Sequence, residues 1–245
     1  MHSIAQFVTQ ESPCGYLPQE QWQLEYNCYS EITAEEYSQL MLQGWRRFGH
    51  AVFRPRCRQC QACQSLRIDV PRFQPNRSQK RNRRDNEGII KLKIGSPTIN
   101  KARLALYDRY HYYQSEHIGW RMHEPKDPES YIMSFVTNPF HTEEWRYYCG
   151  KELIGIGYVD VLPIGLSAIY FYYAPEQRKR GLGIWNILCL LDRAKQLGHP
   201  YLYLGYYVEG CRSLAYKANF RPNEIYHPNG GWRPFRALAQ DGLTD

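Results

Sequence analysis

The sequence predicts an α+β protein in two parts. Residues 1–95 form a small, basic N-terminal α/β domain carrying a cysteine cluster. It packs on residues 96–245, a mixed sheet with helices. Three observations predict this. Charge is segregated: from Arg46 to Lys93 there are 14 Lys and Arg against 3 Asp and Glu, a local net of +11, leaving −4 for the rest of the 245 residues. Three β-rich runs, "EWRYYCG", "ELIGIGYVDVLP" and "GLSAIYFYYAP", follow one another through short turns, the pattern of an antiparallel meander. A basic, glycine-containing loop, an amphipathic helix (184–198), a strand (201–207) and a short helix (212–218) come next.

The remaining elements follow from local signals. Thr33 and Glu36 are spaced as a capping box, and Tyr37, Leu40 and Met41 give the helix behind it an apolar stripe up to Gly44. "RRFGHAVFRP" reads as a bent strand or hairpin and "SLRIDV" as a short strand. Ser78 is placed to cap "QKRNRRDNEG", a helix charged on nearly every face, whose use is electrostatic rather than core-forming. "TINKARLALYDRYHYYQSEH" is helical in period and offers Leu104, Leu106, Tyr107 and Tyr110 for burial, and a further helix is expected near Tyr131 to Phe135.

Composition excludes some classes. At 43% hydrophobic residues the chain can build a sizeable core and is not a disordered tail. Its longest apolar stretch, "GIWNILCLL", is far too short to span a bilayer, and "MHSIAQFVTQESPC" has neither the basic start nor the apolar centre of a signal peptide. A soluble cytoplasmic protein without membrane contact is expected. Its eight cysteines are then reduced, and serve as ligands, nucleophiles or packing. Cys149 and Cys189 lie in apolar segments and read as core; Cys28 gives no signal.

The basic stretch attracts polyanions. Trp45, Phe48, Phe53 and Phe73 interleave with its arginines, as on surfaces that stack unpaired nucleotides. The plainer reading is a solvated charged face with some of these rings in the core. Further on, Arg178-x-x-Gly181-x-Gly183 resembles the phosphate-binding turn of the acetyltransferase-like (GNAT-type) acyl-transfer superfamily, and the surrounding element order resembles that fold. Glycines there let backbone N–H groups approach an anion at a helix N-terminus. A helix start with basic decoration would give the same six residues. A coenzyme A donor leaves the basic half without a role, whereas aminoacyl-tRNA uses both halves, so no coenzyme A is expected.

"PCGYLP", "GWRRFG", "FRPRCRQCQACQSLRI", "SQKRNRRDN", "VDVLPIGLSAIYFYYAPE" and "LGYYVEGCRSLAYKANFRPNE" together resemble the arginyl-tRNA–protein transferase family, in its order, from about Pro13 to Phe235. That family includes compact bacterial leucyl-tRNA–protein transferases. The resemblance implies transfer of an amino acid, leucine or alternatively arginine, from tRNA to the α-amine of proteins beginning with Asp or Glu, which creates an N-degron. The donor ester is already activated, and an α-amine with a pKa of about 7.7–8.0 is appreciably neutral near pH 7. Positioning supplies most of the acceleration, at best about 7–11 kcal/mol.

On this resemblance the reaction centre is sought at Asp160, Tyr206, Tyr207, Tyr216 and Lys217; for each tyrosine the alternative is sheet packing. Arg46, Arg47 and Arg67 are candidates for the acceptor's acidic residue or for tRNA. Lys80, Arg81, Arg178, Arg180, Gly181 and Gly183 are candidates for tRNA. His111, His117 and His123 read as loop or core residues. Cys57, Cys60 and Cys63, with Cys14 as the fourth member, form a credible four-thiolate metal site. Eukaryotic relatives bind an iron–sulfur cluster through two cysteine pairs; here Leu17 replaces one of those cysteines and the triplet replaces the downstream pair. Spacing does not choose between an iron–sulfur cluster, zinc and unmetallated thiols. A nucleophilic cysteine is disfavoured because no base lies nearby in sequence. The rival functions are a coenzyme A-dependent N-acetyltransferase and a non-enzymatic RNA-binding protein.

Overall fold

The meander of Thr142–Cys149, Glu152–Leu162 and Gly165–Tyr173 pairs antiparallel, as its alternation requires, inside an eight-stranded sheet. The protein is seen in a computed structural model that describes residues 1–235. From edge to edge the sheet runs Gly231–Pro234, Asn223–His227, Gln64–Asp69, Tyr201–Tyr207, Gly165–Tyr173, Glu152–Leu162, Thr142–Cys149 and Ile90–Gly95. Among the described strands only Gly165–Tyr173 and Tyr201–Tyr207 pair in parallel. A parallel pair needs a crossover, which the helix Leu182–Gln196 supplies.

A second, antiparallel sheet orders His2–Val8, Leu24–Glu31, Ala51–Pro55 and Arg46–Phe48, and a short pair joins Ser12–Pro13 to Gln21–Trp22. The Thr33–Glu36 capping box forms and starts the helix Ala34–Leu42. That helix buries Tyr37 and Met41 against Trp45, Val52 and, from the larger sheet, Leu162 and Tyr203. Two strands from the first 95 residues, Gln64–Asp69 and Ile90–Gly95, stand in the larger sheet, so the two parts share strands as well as a core.

The charged helix spans Arg77–Asn86, and its cap is Asn76 rather than Ser78: Asn76 and Gln79 make the reciprocal pair of hydrogen bonds, both at 2.9 Å. It docks through amides instead of apolar residues. Asn82 and Asn86 each donate to the Arg180 carbonyl at 2.9 Å, and Arg83 makes a bidentate pair with Asp192 at 2.7 and 2.9 Å. In the main core the Tyr131 hydroxyl bonds those of Tyr158 and Tyr172 at 2.5 and 2.6 Å, so these buried polar groups are satisfied. Helix Lys101–Ile118 covers the same face and holds a bidentate Arg103–Glu144 pair at 2.9 and 2.6 Å.

The aromatics among the arginines are engaged within the protein. Trp45 is core, Phe48 and Phe53 stack on each other at 5.6 Å, and Phe73 stacks on Phe220 at 6.1 Å. Cys149 and Cys189 pack against the core as expected. Among the described residues no helix is long and apolar enough to cross a membrane.

Candidate active site

The single parallel pairing holds only at Leu166–Leu202 and Ser167–Tyr203. Past it the strands part. Gly205 takes φ +73°, and the register against Gln64–Asp69 shifts between Tyr203 and Tyr206. A cleft of about 460 Å³ opens there, lined by Tyr170 and Phe171 on one side, Leu204 on the other, Gly181 and Gly183 at the helix start, and Tyr216 and Lys217. No Asp or Glu lines it among the described residues, while Lys217 and Arg212 do.

The glycine turn lies at the cleft, and neighbouring side chains explain its glycines. Gly181 sits at φ +62°, and a Cβ there would stand 2.6 Å from the Asn82 amide nitrogen. A Cβ on Gly183 would stand 3.2 Å from the Tyr216 hydroxyl. Arg180 donates to Gln177 at 2.9 Å, and exposed Arg178 lies 5.7 Å from the Tyr113 ring centre. Lys80 and Arg81 are exposed on the adjoining helix. Arg81, Lys179 and Arg180 border a polar groove of about 520 Å³ that meets the cleft at Gly181 and Ile184.

Of the five candidate catalytic residues, Tyr216 and Lys217 reach the cleft. Lys217 Nζ donates to the Tyr206 carbonyl at 2.9 Å; burial, with Arg46 beside it, pushes its ammonium down to about 7. Tyr206 directs its hydroxyl to the Gly44 carbonyl at 3.2 Å, and Tyr207 is buried against Phe235. Asp160 does not face a bound amine. It is fully buried in a two-point pair with Arg47, and the Thr142 hydroxyl donates to it at 2.9 Å.

The three arginines expected to meet the acceptor's acidic residue or tRNA therefore separate. Arg47 is consumed by Asp160, Thr142, Gly49 and Asn138. Arg67 is consumed by Glu224 at 2.6 Å and stacks on Tyr201 and Trp232, with ring centres 3.7 and 4.5 Å away. Arg46 is also buried, but among the described residues its Nε and Nη2 have no hydrogen-bond partner.

Cys14, Cys57, Cys60 and Cys63 line one cavity of about 500 Å³ on the other side of Tyr206. Burial pushes the Cys63 thiol up to about 12, with Cys14, Cys57, Cys60 and Cys211 adding to the rise, which opposes a nucleophilic role at neutral pH. Among the described residues no three His, Cys, Asp or Glu side chains are grouped to hold a metal ion. The four thiols share a cavity without forming a closed set of ligands.

Comparison with known proteins decides the family. The model of the arginine-tRNA-protein transferase N terminus matches residues 12–81, and that of the C terminus residues 102–227. The chain belongs to the arginine-tRNA-protein transferase family. It is an aminoacyltransferase. An aspartate/glutamate leucyltransferase of Halorhodospira halophila is 38% identical over 224 residues, 90% of this chain and 92% of that one. One from Campylobacter jejuni (strain RM1221) is 34% identical over 221 residues, covering 89% and 91%. A solved C-terminal domain of a putative lysylphosphatidylglycerol synthetase from Agrobacterium fabrum covers 61% of this chain and 47% of its own, at TM-score 0.45 and 9% identity.

Sequence reasoning missed two residues of the transferase's cleft. Tyr16 lines both the cleft and the cysteine cavity, and its backbone N–H points to Cys14 Sγ at 3.4 Å. Tyr170 donates to His111 Nε2 at 2.8 Å, because His111 Nδ1 must donate to the Tyr107 carbonyl at 2.7 Å. Burial pushes His111 down to about 4 and keeps it neutral. His117 is exposed, and His123 pairs with Asp108 at 2.8 Å. The alternation of "AIYFYY" signals a strand but not which tyrosine meets a histidine.

Proposed function

We propose that this transferase moves leucine from leucyl-tRNA to the α-amine of proteins that begin with Asp or Glu, and that the reaction takes place in the cleft where the parallel strands part. The observation that carries the reading is that cleft. It opens at a helix N-terminus beside a polar groove that Arg81, Lys179 and Arg180 border together with Asp85 and Glu176. Among the described residues the charged side chains lining the cleft itself are Arg212 and Lys217. An acidic acceptor suits such a lining, and the groove suits the phosphates of a tRNA end. The names of the relatives support leucine and acidic acceptors. The parted parallel pair and glycine turn favour an acetyltransferase-like reading of the larger sheet, and a cytoplasmic enzyme suits a tRNA donor.

In the reaction the neutral amine nitrogen attacks the ester carbonyl carbon. The bond from that carbon to the ribose oxygen breaks, and the amine's proton ends on that oxygen. The chain's task is to hold the two reactants in line and to offer donors to the developing oxyanion. Tyr216 and the backbone N–H groups at Leu182 and Gly183 are the donors best placed at the cleft.

For the thiols, the proposal is that Cys14, Cys57, Cys60 and Cys63 gather around zinc or an iron–sulfur cluster. Their shared cavity supports it, and closing the set requires the loop that holds Cys57 to Cys63 to rearrange. Metal analysis should find zinc or iron that Cys60→Ser removes; metal-free protein of unchanged stability would count against it.

The function is tested by offering leucyl-tRNA and arginyl-tRNA, without coenzyme A, to peptides beginning with Asp, Glu or Ala. Leucine on the Asp and Glu peptides alone is expected. Transfer to the Ala peptide at an equal rate, or acetylation from acetyl-CoA in place of transfer, would overturn it.

A further inference from the structure

One wall of the cleft carries a hydroxyl whose proton is already committed. Tyr170 lies just past Ser167, where the parallel pairing ends, and lines the cleft. Its hydroxyl donates to His111 Nε2 at 2.8 Å, since the Tyr107 carbonyl, at 2.7 Å, holds His111 Nδ1 as a donor. Burial pushes His111 down to about 4, against the pull of the Tyr107 carbonyl, so the ring stays neutral and Nε2 remains an acceptor. A tyrosine hydroxyl has one proton to give and lone pairs to accept with. With the proton given to His111, the Tyr170 oxygen can only accept from a group that enters the cleft.

Packing alone does not call for this pair. The Tyr170 ring rests against Phe135 and Phe48, with ring centres 5.6 and 6.0 Å away, and His111 stacks on Tyr107 at 3.8 Å. Phe at 170 with an apolar residue at 111 would fill this aromatic wall and leave no polar group to satisfy. Tyr172, on the same face of the strand, gives the contrast: its hydroxyl is used inside the core, on Tyr131 at 2.6 Å.

We propose that the Tyr170 oxygen accepts a hydrogen bond from the attacking α-amine, and that His111 is the positioning residue that keeps the Tyr170 proton turned away from it. The inference rests on the proposed function and assigns the amine its place in the cleft. With one N–H held on Tyr170, the nitrogen lone pair is aimed at the ester carbon. The new bond joins that nitrogen to that carbon, the bond to the ribose oxygen breaks, and the amine's proton ends on the ribose oxygen. Tyr170 and His111 neither gain nor lose a proton. Tyr216, beside Gly183, is left to donate to the oxyanion, so the cleft offers one hydroxyl of each polarity.

The test measures leucine transfer to an Asp-starting peptide by wild type, Tyr170→Phe, His111→Gln, His111→Asn, and Tyr170→Phe combined with His111→Asn. Gln carries an amide oxygen near the place of Nε2, whereas the shorter Asn reaches only the place of Nδ1. Tyr170→Phe should lower kcat by about 10- to 100-fold, the cost of a misplaced reactant, with KM for the peptide within about threefold. His111→Asn should lose as much, His111→Gln should recover most of it, and the double variant should be no slower than Tyr170→Phe alone. Thermal unfolding checks each fold, and should His111→Asn fold poorly, His111→Leu gives the same comparison. Equal losses in the Gln and Asn variants, or losses that multiply in the double variant, would reduce His111 to packing and overturn the proposal. So would a folded Tyr170→Phe within about twofold of wild type. The reading beneath fails separately: if wild type itself moves leucine to no peptide, both fall, whereas wild-type transfer matched by Tyr170→Phe overturns this inference alone.

Discussion

Arg47 and Asp160, 113 positions apart in the chain, meet at two points with neither side chain exposed. Thr142 donates to the carboxylate and accepts from the guanidinium at 2.8 Å, so the triad ties the smaller sheet to the larger one. Removing one partner strands a buried charge. Asp160→Leu is therefore expected to cost about 3–5 kcal/mol in urea denaturation, and Asp160→Leu with Arg47→Met to recover part of that loss. An Asp160→Leu protein as stable as wild type would contradict this role.

The pair also shows where sequence reading stops. Arg46 and Arg47 form one dipeptide on one strand, so they point to opposite faces. One finds Asp160 and the other the unpaired position beside Tyr206, a division no local pattern encodes. The meander, the crossover helix and the Thr33 cap were legible because alternation, amphipathic period and capping chemistry are local. The strand Ile90–Gly95 carried a usable signal in its alternation of Ile, Leu and Ile with Lys91 and Lys93, masked by the charged helix before it. Insertion of Gln64–Asp69 between strands more than a hundred residues downstream is a long-range pairing that spacing cannot disclose. At the site, Tyr216 and Lys217 were read as reaction-centre candidates and the glycine turn separately as a phosphate-binding one; that they border one cleft, like the places of Tyr16 and Tyr170, depends on packing between distant segments.

The groove beside the glycine turn predicts a salt effect. If Arg81 and Lys179 contact phosphates, Arg81→Ala and Lys179→Ala should each weaken tRNA binding and each lower the slope of log affinity against log salt by about one. Binding measured across a salt series checks this. Unchanged slopes would move the tRNA elsewhere.

Lys217 predicts a pH dependence of stability. Burial and Arg46 hold its ammonium at about 7 in the folded protein against 10.5 when unfolded, with the Cys211 thiol opposing. Between these values the unfolded chain binds more protons, so stability rises with pH, by up to about 1.4 kcal/mol per unit from this group. Relative to Lys217→Met, wild type should gain stability from pH 7 to pH 9 in parallel denaturation curves. Parallel behaviour of the two proteins over that range would show that Lys217 is not held in this way.

The central claim is that leucine is transferred in the cleft at Gly183 and Tyr216. The most direct measurement is single-turnover transfer from leucyl-tRNA to an Asp-starting peptide by Gly183→Val, whose side chain would fill the space against the Tyr216 hydroxyl. The account predicts a loss of about 100-fold or more in rate with tRNA affinity and fold retained. Transfer within about twofold of wild type, well below the loss that misplaced reactants should cause, would contradict it.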